Sequence, residues 1–178
     1  MGKAELLQNL RQITGSVIST DKEFWAAPDF SAGVAKGIVA ELLGNARTEW
    51  LLKFFAMHTE QYIFWCERES AANPTAIYQR GVNLERIKFV NSSGDLQIPL
   101  RLALECQHYP FVVAPNGFSD IKIFQRFQFL AEKSKSTLFL LGNQNFSQAW
   151  PIALQLEINF SPEGFNLWVQ KQKYGIGL

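Results

Sequence analysis

Short apolar runs recur along this chain, separated by stretches of helix length, and that alternation constrains the fold more than any other feature. Strands are predicted over 37–43, 61–67, 86–91, 110–114 and 137–141, with helices over 47–59, 74–81, 96–107 and 121–134 between or after them. Pro74 suits the first turn of its helix and Gly81 the position just past its end. The 96–107 helix carries Ile98, Leu102 and Cys106 on one face. Apolar strands of this kind have no polar side to turn to water. They are expected to lie parallel in one sheet covered on both faces. The segments 152–160 and 165–173 alternate around Pro162-Glu163-Gly164 as a hairpin does, and should extend that sheet antiparallel. Before the first strand, 4–13 can form a short helix with Leu6, Leu7, Leu10 and Ile13 on one side. Residues 14–31 read as an irregular arm holding Trp25, Pro28 and Phe30. The expected division is an amino-terminal helix and arm over 1–32 and an α/β core domain over 33–178.

Composition narrows the function classes. With 47% hydrophobic and 19% charged residues, the chain is an ordinary globular protein. A net charge of +1 gives no electrostatic basis for wrapping nucleic acid. No apolar run approaches the roughly 20 residues of a membrane span. The start, Met1-Gly2-Lys3-Ala4-Glu5-Leu6, has neither the apolar stretch of a secretory signal nor the Ser or Thr that myristoylation requires at position 6. A cytoplasmic location is expected. Cys66 and Cys106 stand apart among apolar neighbours and read as two buried thiols. His58 and His108 are the only histidines, so a His-rich metal site is not available.

The stretch Glu41-Leu42-Leu43-Gly44-Asn45-Ala46-Arg47-Thr48 has the frame of a phosphate-binding strand–loop–helix junction. A working loop follows G-x-x-x-x-G-K-[ST], so that successive backbone N–H groups cradle the phosphates. Here only Asn45 and Ala46 separate Gly44 from Arg47-Thr48. An arc that short cannot present those N–H groups to a phosphate. The arginine fork is also larger than a lysine ammonium and makes different contacts.

From about 37 to 175 the order of elements resembles the RecA recombinase core, and most closely the small RecA-like proteins of the ImuA and SulA type. The stretch that carries the resemblance is Glu69-Ser70-Ala71-Ala72-Asn73-Pro74, followed by Gly81-Val82-Asn83-Leu84. In RecA the comparable segment holds a catalytic glutamate, an Asp-Pro that opens a helix, and a Gly-Val-Asp turn. Later, Leu140-Leu141-Gly142-Asn143-Gln144 is similar to a strand ending in an Asn-Gln pair whose glutamine senses the terminal phosphate. The resemblance implies a three-layer RecA-like P-loop NTPase fold, with Glu69 and Gln144 as vestiges of catalytic residues.

Departures from the family pattern are as informative as the matches. The Mg²⁺-linked aspartate of the family corresponds to Ala114, which offers no oxygen to a metal's water shell. With the lysine, the full loop and the aspartate all missing, the chain is expected to bind no nucleotide cofactor or metal and to hydrolyse no ATP. In the recombinase, the segments after the fourth and fifth strands hold single-stranded DNA. Here those gaps, 115–120 and 145–149, contain no lysine or arginine, so direct DNA binding should be weak or absent. Protein partners remain. The ImuA likeness implies a Y-family-polymerase-like protein and a RecA-type recombinase, in damage-induced translesion synthesis. The SulA likeness implies the tubulin-like division protein.

Several residues carry two readings. Arg47 and Thr48 either bind an anion at a helix N-terminus or simply start a helix capped by Thr48 or Asn45, the reading preferred here. Glu69 is otherwise a surface acid, and Asn143 and Gln144 a polar strand end. The five tryptophans are expected mostly in the core. Phe124, Phe127 and Phe129 cannot share one side of a helix, so at least one should be exposed or buried in a partner. Phe24, Trp25 and Phe30 in the arm raise the same possibility. A homodimer is a further option. The basic residues Lys133, Lys135, Lys171 and Lys173 read as a solvated face.

Overall fold

In the computed structural model, residues 22–175 are described; the helix expected over 4–13 lies outside them. Seven strands form one sheet: β3 (Val39–Leu43), β4 (Ile63–Glu67), β5 (Ile87–Asn91), β6 (Phe111–Pro115), β7 (Thr137–Leu141), β8 (Leu154–Ser161) and β9 (Gly164–Gln172), in the order β5-β4-β6-β7-β3-β8-β9. All neighbours pair parallel except the β8–β9 hairpin. The expected sheet, with its antiparallel extension, is therefore present. A separate two-stranded hairpin precedes it, β1 (Phe24–Ala27) with β2 (Phe30–Ala35).

Alternation along each strand sorts the side chains into two cores. In β6, Phe111 and Val113 face one layer, and Val112 and Ala114 the other. The first layer is α1 (Arg47–Ala56) with α2 (Pro74–Gln79) and the β1–β2 hairpin. Here Trp50, Phe54 and Phe55 of α1 are fully buried, and Phe54 meets both Phe111 and Phe139 edge-on. The second layer is α3 (Gln97–Glu105) and α4 (Ile121–Ser134). Asn73 caps α2, its side chain accepting from the Ala76 amide at 3.2 Å, with Pro74 at the first turn as expected.

Four expectations need correcting. The arm is not irregular over its described part: Pro28 and Asp29 turn the chain between β1 and β2, with Asp29 at φ 54°, and the hairpin runs across position 32/33. Phe30 is buried there, so it is a core residue and not a partner contact. On α3, Ile98, Leu102 and Cys106 do share one face as expected, and it is the face that points to water, while Leu96, Leu100, Ala103 and Leu104 pack inward. Cys66 is buried as expected, but Cys106 is exposed. Trp50 and Trp65 are core, Trp25 is half-buried, and Trp150 and Trp168 are exposed.

Candidate functional site

Parallel strands deliver their carboxyl ends to one edge, where ligands bind in open α/β sheets. At that edge two cavities meet. One, of about 440 Å³, lies among Arg47, Thr48, Trp65, Glu67, Glu69 and Asn143. The other, of about 650 Å³, lies between the β3–α1 loop and the segment after β7, with Gly44, Asn45, Gln144 and Glu157 on its walls. Arg47 and Asn143 line both. The fold thus brings Gly44, Asn45, Arg47, Thr48, Glu69, Asn143 and Gln144 to one rim from three separate connections. Ala46 is next to them but fully buried at the head of α1.

The β3–α1 loop is closed by the neighbouring strand. Its Ala46 amide donates to Ile158 O at 3.0 Å, and its Asn45 amide to Asn159 Oδ1 at 3.2 Å. The Asn45 side chain returns the contact, accepting from the Phe160 amide at 3.1 Å. Amides that would face a phosphate are already spent on β8. Gly44 permits the approach: at φ 94°, an added Cβ would stand 2.1 Å from Ile158 O. No side chain bulkier than hydrogen fits between loop and strand. The Arg47 guanidinium turns back on the loop, Nη1 donating to Gly44 O at 2.8 Å.

Helix α1 starts at Ala46 without a side-chain cap, contrary to the expected Thr48 or Asn45. Asn45 is engaged with β8, and Thr48 lies inside the helix and exposed. On the opposite wall, Glu69 is exposed. Its loop is fixed through its neighbours: Glu67 Oε2 accepts from the Ala72 amide at 3.1 Å, and Asn91 Nδ2 donates to Ser70 Oγ at 2.8 Å. Ala114, at the end of β6, is fully buried in the second core.

Glu41 is the residue that sequence reasoning missed. It is fully buried at the carboxyl half of β3, on the α3–α4 side of the sheet, and its carboxyl oxygens collect three connections. Asn116 Nδ2, from the loop after β6, donates to Oε1. The Ser147 amide, from the segment after β7, donates to Oε2 at 3.0 Å, and Gln155 Nε2 of β8 donates to Oε2 at 2.7 Å. Gly142 passes beside this group, and a Cβ there would crowd Leu43 Cδ1 at 2.7 Å while meeting Oε1 only at an ordinary 3.4 Å. The available signal was one acid inside the apolar run Val39-Ala40-Glu41-Leu42-Leu43.

The aromatic candidates separate clearly. Phe124 and Phe127 are buried against α3 and the sheet and cannot reach a partner, whereas Phe129 is 64% exposed. Phe24 is exposed. Trp25 stacks edge-on against Phe111 with Lys36 over its ring. Among the described residues, no cluster of three or more His, Cys, Asp or Glu side chains is arranged to hold a metal, and no helix is long and apolar enough to cross a membrane. Burial pushes the Cys66 thiol up from its ordinary range, with Glu67 adding to the effect.

A mostly parallel sheet in this strand order, extended by an antiparallel hairpin at one edge, defines a class of fold. Compared with solved structures, the chain is similar to the crystal structure of the RadB recombinase, with a TM-score of 0.59, 12% identity, and coverage of 81% of this chain and 86% of that one. The chain has the RecA-like fold. Neither a protein-family model nor a curated protein matches it.

Proposed function

We propose that this protein is a RecA-like module that does not hydrolyse ATP and works through protein contacts, as an ImuA-like accessory factor in damage-induced translesion synthesis. The observation that carries the loss of nucleotide chemistry is the sealed β3–α1 loop, whose Asn45 and Ala46 amides are bonded to β8. Ala114 in the metal position points the same way, because it can order no Mg²⁺-bound water. DNA binding through the connections after β6 and β7 is not supported either, since residues 116–120 and 142–153 contain no lysine or arginine.

Protein contact is supported by apolar side chains with no function in the fold. Ile98 and Leu102 on α3 and Phe129 on α4 are exposed on two helices that pack against each other. Large exposed apolar groups on one layer mark interaction surfaces. The implied partners are a Y-family-polymerase-like protein and the recombinase. Calorimetry with ATP and Mg²⁺ tests the central claim: no binding up to millimolar nucleotide is expected, and micromolar binding overturns it. Pull-downs with purified recombinase and polymerase test the partners. If both fail, and the protein at equimolar level blocks polymerisation of the tubulin-like division protein in light scattering, the SulA-like reading replaces this one.

A further inference from the structure

The geometry points to β9 as a self-pairing edge, through which two copies of this chain join antiparallel about a two-fold axis into one continuous sheet. The strand spans nine residues and, among the described residues, pairs only with β8, which leaves the backbone N–H and C=O groups of its other side without a strand partner there. Proteins usually blunt such edges with prolines, short length or charges along the strand. The opposite edge, β5, follows that practice, being five residues long with Lys88 exposed. Strand β9 lacks these features over Gly164 to Val169, where the ladder to β8 is regular and the side chains are largely apolar. Trp168 is 66% exposed, and Val169 is also exposed.

Charge decides the orientation and the occupant. At the turn end of β9 stand Glu163 and Asp29, whose carboxylate lies over Gly164. At the other end stand Lys171 and Lys173, with Lys22 and Lys173 both over the Tyr174 ring. Antiparallel pairing with a second copy sets the acidic end of each strand beside the basic end of the other. Parallel pairing would set like beside like. A dyad at Leu167 places Val169 opposite the partner's Phe165 within the regular part of the ladder, and sets the turn bearing Glu163 beside the basic end of the partner strand, where β9 bulges at Gln170 before Lys171. It also brings Trp168 and the partner's Trp168 into diagonal reach across the axis. Every contact occurs twice, as an isologous interface requires. Lys171 donates to Trp150 O at 3.0 Å, and its ammonium is depressed first by burial and then by Lys173. Among the described residues, no carboxylate pairs with it.

Light scattering coupled to size exclusion, on the full chain at tens of micromolar, should give twice the 20.2 kDa chain mass. Trp168→Lys should yield monomer with an unchanged far-UV spectrum. Glu163→Lys and Lys171→Glu should each weaken the dimer about tenfold, and the double exchange should restore it. In a Cys106→Ser background, Leu167→Cys should cross-link to its own copy on oxidation, because directly opposed residues of antiparallel strands lie within disulfide range. A monomeric wild-type chain overturns the proposal. So does a dimer that survives Trp168→Lys, or a chain that dimerises only after residues 1–21 are deleted, which would make that segment the occupant of the edge.

Discussion

Gly44→Ala tests the sealed loop directly. At φ 94° the residue lies beyond the left-handed region that an alanine tolerates, a strain of about 1–3 kcal/mol. The new methyl would also meet Ile158 O at 2.1 Å, about an ångström inside ordinary contact, so β8 must retreat. Retreat breaks the bonds from Ala46 N to Ile158 O and from Phe160 N to Asn45 Oδ1, each worth about 1 kcal/mol. Together these terms give a loss of about 3–5 kcal/mol, a large share of a typical domain's stability of about 5–15 kcal/mol. In a chain of this size the midpoint of thermal unfolding should fall by roughly 8–16 °C. Gly94→Ala is the control, since nothing lies within 4 Å of a Cβ there, and it should stay within about 0.5 kcal/mol of wild type. Urea denaturation of the three proteins, fitted with a common m-value, measures the difference. If Gly44→Ala costs less than about 1 kcal/mol, the loop is not held by β8 and its amides are not committed to that strand.

Two other outcomes follow from the buried groups. Glu41→Gln replaces an acceptor oxygen with an amide donor among the Asn116, Ser147 and Gln155 donors, and should cost about 2–4 kcal/mol in the same urea assay. Among the cysteines, Cys106 should react with a thiol reagent in the folded protein at neutral pH. Cys66 should react only after unfolding, because it is buried and its thiolate is disfavoured by burial and by Glu67.

Strands β3 to β7 were legible as short apolar runs bounded by turn residues, too short for helices, and α4 as a longer segment with a 3.6-residue apolar period. Helix α3 was not, because Ile98, Leu100, Leu102, Ala103 and Leu104 surround its axis and leave the inward face to be chosen by the sheet and α4. The β1–β2 hairpin was less legible because its strands are short and its ladder is broken by a register shift between Trp25 and Ala27. The Pro28-Asp29 turn between alternating segments was the usable signal. At the candidate site, the shortened loop could be read from its residues, and the rim of Glu69, Asn143 and Gln144 from the family resemblance. What closes the loop could not be read, since Asn45 and Phe160 meet only through the pairing of β3 with β8. Glu41 was hidden for the same reason: its donors come from three later segments of the chain.

Glu41 also changes what counts as a loop in this protein. The Ser147 amide belongs to no strand or helix, yet it donates to a fully buried carboxyl group that also holds β8 and the connection after β6. In hydrogen exchange it should therefore be replaced as slowly as sheet amides, opening only when the centre of the sheet opens. The connections after β6 and β7 are thus fastened to the interior, so the described part of this edge is a fixed relief whose shape is set by the centre of the sheet.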